Sequence, residues 1–400
     1  MSSLDMTGVL VISLAAVAAP IAAASVARVA RVPNVVLEIL LGVLVGPVVL
    51  GWVQVDELVN AVSEFGLAML MFMAGFEIDF QRVKGRPIRM AALGWFVSFG
   101  VGMAIGLALF GFTTLAQVVG LCMTTTALGT ILPMLRDSGA LATPFGNRVL
   151  AIGALGEFGP IVAMAFIFSE DEKWHTVVVI ALFTLIALTA ATMAARPRHP
   201  RLAHLVTATM TTSGQLGVRI VMFVLMLMLW LAASFRLDVL LGAFTAGIVI
   251  RLAVKSGPEE EQELVTSKLD AIGFGFLIPF FFVVSGVKLD LKAMFADPGS
   301  LLLIPLFLLL FLLVRGLPSL LLARRDPDVR PGEDRAVALF TAAALPLIVV
   351  ITNTGVGAGV MSTATAAAIV TAGVFSVMIY PLVALRLYRA AEQKCEDLPA

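Results

Sequence analysis

The sequence predicts an all-α polytopic membrane protein with about thirteen transmembrane helices. Three observations carry this prediction. Hydrophobic residues make up 60% of the 400-residue chain and charged residues only 14%, with a mean hydropathy of +1.02; a soluble domain has about a quarter of its residues charged. Apolar runs long enough to cross ~30 Å of hydrocarbon recur along the whole length. Nothing alternates with the period of two that a barrel strand requires, so the spans must be helices, which satisfy their own backbone in lipid.

Each span can be justified in order. The run near residues 6–26 lacks a basic leader and is followed by many more spans, so it reads as a first helix and not as a cleaved signal. Spans near 34–52, 59–79 and 88–111 follow. The fifth, near 115–136, is interrupted by Thr124, Thr125, Thr126, Gly129 and Pro133, and the sixth, near 146–169, carries Glu157 in its middle. The seventh, near 175–195, lies between two halves. Spans near 214–234, 237–254 and 269–289 come next. The eleventh, near 299–323, holds Arg315; the twelfth, near 335–355, contains Pro346 and the run Thr352-Asn353-Thr354-Gly355; the thirteenth lies near 361–386.

Loop charges fix an orientation. One set of loops carries Arg28 and Arg31; Arg82, Lys84, Arg86 and Arg89; Arg136 and Arg148; Arg196, Arg198 and Arg201; Arg251 and Lys255; and Arg324, Arg325, Arg330 and Arg335. The alternate loops are poor in Lys and Arg. The positive-inside rule then puts the N-terminus outside and the C-terminus in the cytoplasm of a cell-membrane protein, with 391–400 as a short cytoplasmic tail. The formal net charge is zero and no basic stripe exists beyond short loops, so no nucleic-acid partner is expected. Cys122 and Cys395 are too far apart in sequence and setting to suggest a disulfide or a metal site.

The chain also resembles itself. Leu37-Glu38-Ile39-Leu40-Leu41-Gly42 matches Leu237-Asp238-Val239-Leu240-Leu241-Gly242, and Met71 to Asp79 matches Phe282 to Asp290, with Gly75 opposite Gly286. Two matches in the same order suggest repeats over 1–170 and 205–390, joined by a linker helix within 171–204. The loop charges place Asp79 and Asp290 on opposite sides, so the repeats are inverted, as in many secondary transporters. Such proteins interrupt equivalent helices near the midplane. Clustered Thr, Gly and Pro at 124–133 and 346–355 supply two candidates, whose freed carbonyls and helix ends can coordinate a cation. The alternative for each alone is a proline kink with threonine hydroxyls bonded back to their own helix.

Charges at bilayer depth mark function, because an ionised side chain there costs a few kcal/mol or more. Glu157, flanked by Gly156 and Gly159 and followed by Pro160, is the strongest candidate for a group that exchanges a cation for a proton. Arg315 is the second deep charge, suited to balancing that carboxylate or the ends of broken helices. Glu38, Glu64, Asp238, Arg219 and Arg251 lie nearer helix ends, where snorkelling accounts for them. His175, His199 and His204 read as solvated loop residues, and Glu259-Glu260-Glu261 as a solvated loop. No phosphate-binding loop, metal-ligand cluster or nucleophile–base constellation is legible, so neither ATP-driven transport nor enzyme chemistry is expected, and no cofactor.

At these residues the chain resembles the second cation:proton antiporter family, the bacterial monovalent cation/proton exchangers. The similarity is carried by Glu38-Ile39-Leu40-Leu41-Gly42 through Gly46-Pro47, Glu64-Phe65-Gly66 through Glu77, Thr125-Thr126-Ala127-Leu128, Pro279-Phe280-Phe281 through Gly286, and Met361-Ser362 through Ala366. It implies the sodium/proton antiporter fold: inverted repeats, two crossed broken helices, a six-helix core from spans 4–6 and 11–13, an elevator-like movement and a homodimer in lipid. It puts Glu157 at the family's acidic position and Arg315 at its basic position on the eleventh span. One departure stands out. Relatives carry two acids or an Asn-Asp pair where this chain reads Gly156-Glu157, which implies electroneutral 1:1 exchange of Na+ or K+ for a proton through a single carboxylate. Thr125, Thr126 and Asn353 are expected to help hold the cation. The alternatives are a cation-coupled symporter of an organic anion, or a sensor built on a transporter scaffold.

Overall fold

The computed structural model describes residues 6–26, 33–78, 85–168, 173–194, 214–257, 259–296, 298–326, 329–330 and 332–396. Every regular element among them is helical. Arg28, Arg31, Asp79, Arg82, Lys84, Arg196, Arg198, His199, Arg201 and His204 lie outside the described residues. So does part of the 171–204 linker.

The first four helices are α1 (Thr7–Val26), α2 (Asn34–Val45), α3 (Glu57–Glu77) and α4 (Arg86–Phe110). Next come α5 (Thr114–Cys122), α6 (Leu128–Asp137), α7 (Pro144–Ile167) and α8 (Lys173–Ala194). The second half contains α9 (Leu216–Ser234), α10 (Val239–Lys255), α11 (Glu259–Ile272) and α12 (Ile278–Val287). It ends with α13 (Leu291–Ala296), α14 (Pro298–Phe311), α15 (Leu317–Arg324), α16 (Glu333–Ala342), α17 (Pro346–Gly357) and α18 (Thr363–Glu396).

Among the described residues, nine helices are both long and apolar enough to cross a membrane. This is fewer than the thirteen spans expected, because several spans are short or divided. Asn34–Val45 has only 12 residues, and the fifth span is divided between α5 and α6. The Glu259–Glu261 run, expected as a loop, forms the first turn of α11, where acidic residues complement the helix N-terminus. Local chemistry explains other boundaries. The Asp56 carboxylate accepts the Val59 amide at 2.8 Å to cap α3, and Asp238 accepts the Leu240 amide at 2.9 Å to cap α10. Two helices contain a π-helical turn, Gly273–Leu277 and Leu312–Gly316. Each is followed within two residues by a proline, Pro279 or Pro318, which has no amide hydrogen to continue the ordinary ladder.

The chain divides into two compact units: Met1–Ala16, Val55–Asp79 and Met164–Val284 form one, and Val17–Gln54, Phe80–Ala163 and Ser285–Ala400 the other. In the first, α3 and α10 touch backbone to backbone. A side chain at Gly75 would strike the Phe244 carbonyl, and one at Gly247 the Phe72 carbonyl. Small residues of this kind let helices approach where lipid offers no hydrophobic drive. Phe72, Phe76 and Phe244 fill the rest of the seam, and the Arg251 guanidinium lies 5.4 Å from the Phe76 ring centre, an account of that arginine without ion chemistry.

The second unit holds both interrupted spans. Within it, α4 and α5 meet through Gly102 against Gly120 and through Gly106 against the Ala116 carbonyl. Of the remaining charges weighed above, Glu64 is exposed and accepts from Asn60 at 2.7 Å, Arg219 is exposed, and Glu38 is buried in α2.

Candidate functional site

The fifth span loses helical geometry between Cys122 and Leu128. Its last carbonyls are taken locally: the Thr124 hydroxyl donates to Leu121 O at 2.8 Å and the Thr125 hydroxyl to Cys122 O at 3.0 Å. The twelfth span is interrupted at 343–345, ahead of Pro346, whose missing amide hydrogen makes it a natural first residue for α17. The two interruptions meet. The Ala127 amide donates to Ala343 O at 2.8 Å, and the Thr126 hydroxyl donates to Thr341 O at 2.8 Å. On the far side, the Ala344 amide donates to the Ser376 hydroxyl of α18 at 3.1 Å. Ser376 is fully buried, and nothing in the sequence distinguishes it from an ordinary helix serine.

Glu157 projects from α7 to this junction and is 4% exposed. Its Oε1 accepts the Leu128 amide at 3.1 Å, and the Gly129 amide also faces the carboxylate. The acid thus sits on the N-terminal turn of α6, where free amides and the helix dipole favour a negative charge. Its Oε2 is buried and has no hydrogen-bond partner. A buried oxygen in that position can accept a cation or carry a proton, and is costly if it does neither.

Arg315 occupies the π-helical turn between α14 and α15 and has no exposed surface. Among the described residues it forms no ion pair. Its Nε donates to the Thr126 hydroxyl at 2.9 Å and an Nη donates to Ile152 O at 2.7 Å, tying the interruption to α7. Gly156 makes room for it: a Cβ there would lie 2.5 Å from Thr126 Oγ1 and 2.6 Å from Arg315 Nη2. Gly159, one turn on, is covered by the Trp95 ring of α4.

The structure therefore brings Thr126, Gly156, Glu157 and Arg315 together, with Thr124 and Thr125 beside them in the same interruption. Gly129 lies in the first turn of α6 and Pro133 further along that helix. Thr352, Thr354 and Gly355 fall inside the continuous helix α17 and not in the interruption. The Thr352 hydroxyl donates to Ile348 O at 2.8 Å and Thr354 to Val350 O at 3.0 Å, the back-bonded arrangement weighed as the alternative above. Asn353 is exposed and lines a cavity of about 310 Å³ with Ser285, Lys288, Asp290, Thr352 and Thr363; no hydrogen bond links it to Glu157 among the described residues.

Two interrupted helices meeting at a buried carboxylate define a class: a multi-pass helical membrane protein with the core of a secondary transporter. The chain belongs to the transmembrane sodium/hydrogen exchanger family, whose pattern matches residues 13–387. It is 27% identical over 385 residues to "Putative Na(+)/H(+) antiporter YjbQ" of Bacillus subtilis, covering 90% of this chain and 60% of that protein. It is 25% identical over 268 residues to "Na(+)/H(+)-K(+) antiporter GerN" of Bacillus cereus, covering 64% of this chain and 65% of that one. The chain thus spans less than two thirds of the length of either relative. Its fold matches that of the sodium proton antiporter MjNhaP1 from Methanocaldococcus jannaschii, with a TM-score of 0.67, 15% identity and 98% of both chains covered. These relatives are transporters and not enzymes.

Proposed function

We propose that the chain exchanges a monovalent cation, Na+ or K+, for a proton at Glu157. One observation carries the reading: the carboxylate is buried at the meeting of two interrupted helices, with one oxygen held by the α6 amide and the other without a partner. In one loaded state Glu157 is ionised and holds a partly dehydrated cation, with oxygens of Thr125 and Thr126 in the same interruption. In the other it is protonated. An empty carboxylate is too costly to cross the low-dielectric barrier, so only loaded states move, and cation flux is coupled to proton flux. With Gly at 156 the site has one acid, which supports electroneutral 1:1 exchange. The names of the YjbQ and GerN relatives support sodium, and that of GerN potassium as well. The family resemblance supports a homodimer and an elevator-like movement of a core made of spans 4–6 and 11–13, and the loop charges support an outside N-terminus in the cell membrane.

The test is collapse of a pH gradient in proteoliposomes on addition of Na+, K+ or Li+, for the wild type and Glu157→Gln. Cation-specific collapse in the wild type and its loss in Glu157→Gln is the expected result. Cation-driven proton flux retained by Glu157→Gln refutes the assignment of Glu157. No response of the wild type to any cation refutes the exchange and returns the symporter and sensor readings.

A further inference from the structure

We propose a second ligand site in the same unit, a small-anion site between Arg148 and Arg315 that takes a halide. Arg148 stands one turn into α7 and is 5% exposed. One of its terminal nitrogens is paired with an oxygen of Asp326, itself buried. The other two nitrogens, Nε and Nη1, are buried and have no acceptor. An arginine has five donor hydrogens and is always charged, so leaving two nitrogens unsatisfied away from water is costly. Arg148 lines a small cavity of about 10 Å³, room for one water-sized occupant. Arg315, Ile152 and Ser319 line the same cavity, as do Met90 and Gly94 of α4.

The charge inventory selects the occupant. Arg148 and Arg315 are both buried, and Arg86 lies 3.8 Å from the second oxygen of Asp326. Two buried guanidinium groups and the carboxylate of Asp326 thus line this space. Arg315 has no ion pair of its own among the described residues, and Glu157 gives up its charge whenever it is protonated in the cycle proposed above. A water molecule would accept a hydrogen bond from Arg148 but leave the excess positive charge in place. A monatomic anion, somewhat wider than a water, satisfies both needs. The Ser319 hydroxyl donates to Arg315 O at 2.9 Å, so the arginines, and not the serine, supply the attraction. The site is separate from Glu157 and does not depend on which cation is exchanged.

The experiment uses the full chain purified in detergent, with potassium gluconate replaced stepwise by potassium bromide at constant ionic strength. The thermal midpoint should rise with the logarithm of bromide concentration above the dissociation constant, because the ligand binds only the folded state. The double variant Arg148→Met/Asp326→Met removes the buried pair together, so it keeps a folded core, and its midpoint should ignore bromide. Crystals grown in bromide should show an anomalous peak within hydrogen-bond distance of Arg148 Nε or Nη1. An ordered water only at that place, or a bromide response equal in wild type and double variant, overturns the proposal.

Discussion

A single methyl group, placed at three glycines around Glu157, tests the geometry of the site. At Gly156 the added carbon would lie 2.5 Å from Thr126 Oγ1 and 2.6 Å from Arg315 Nη2, both held by hydrogen bonds. At Gly153 it would meet the Leu128 side chain, whose Cδ1 lies 2.7 Å away and can rotate, and whose Cβ and Cγ lie 3.3 and 3.4 Å away. At Gly129 it would meet nothing within 4 Å. Overpacking a rigid site costs about 1–3 kcal/mol. Breaking the Arg315–Thr126 hydrogen bond adds about 1.5–3 kcal/mol, since one partner is charged. Gly156→Ala should therefore lose about 2.5–6 kcal/mol of stability. If about 2 kcal/mol of that falls on the rate-limiting step, exchange slows about thirtyfold. Gly129→Ala should be neutral or stabilised by up to about 1 kcal/mol, because alanine orders a helix better than glycine. Gly153→Ala should fall between. Thermal unfolding in detergent and exchange rates in proteoliposomes measure both quantities. A Gly156→Ala protein as stable and as fast as Gly129→Ala would refute the close approach of Arg315 to α7.

Three other outcomes follow from the same packing. Thr126→Val leaves Arg315 Nε without its acceptor and Thr341 O without its donor, and should cost about 2–4 kcal/mol in a thermal melt, with Thr126→Ser close to wild type. Arg148→Met alone takes the buried guanidinium from Asp326, leaving Arg86 3.8 Å away, and should cost up to about 3–5 kcal/mol, while Arg148→Met/Asp326→Met stays within about 1 kcal/mol of wild type; a double-mutant cycle in denaturant reads the coupling. Gly75→Ala and Gly247→Ala each push one backbone off another in the first unit, and each should lower the unfolding midpoint by the equivalent of about 1–3 kcal/mol.

Much of this was legible in the sequence, and the part that was not has a physical cause. Composition and run length sufficed for the membrane class, since lipid leaves helices as the solution for these spans. Glu157 was legible because an ionisable group in an apolar run has few ordinary explanations. The interruption at 123–127 was marked by three consecutive threonines. Its partner was displaced: Thr352, Thr354 and Gly355 carry the same residue types, yet their hydroxyls bond within α17, and the chain opens instead at Ala343-Ala344, next to a proline. Two alanines give no composition signal, and their backbone partners are distant in sequence: Ala127 for Ala343, over two hundred residues away, and Ser376 for Ala344. The π-helical turn around Arg315 was hidden for a related reason, because only Pro318 hints at it. Gly156, beside the acid, is a residue type that lets another helix approach. Its neighbour proves to be the head of a distant arginine, which no spacing rule in one sequence reveals.

That arginine bears on the charge carried by the proposed cycle. With a cation bound, Glu157 contributes minus one, the ion plus one and Arg315 plus one. With a proton bound, Glu157 contributes nothing and Arg315 again plus one. The site carries the same single positive charge in both loaded states, so whatever work the membrane potential does on one crossing it takes back on the return. Replacing Gly156 by a second acid would break this balance, and the space for that acid is occupied by Arg315 itself. The prediction is a rate indifferent to voltage: at fixed ion gradients, clamping proteoliposomes at 0 and at 100 mV should leave steady exchange unchanged within twofold, provided neither crossing alone limits the rate. A cycle moving one net charge would gain or lose about 2.3 kcal/mol over 100 mV, about fiftyfold in its driving ratio. An applied potential that drives uphill cation or proton movement would show that a second charge crosses with the site, and that Glu157 and Arg315 are not its complete charge inventory.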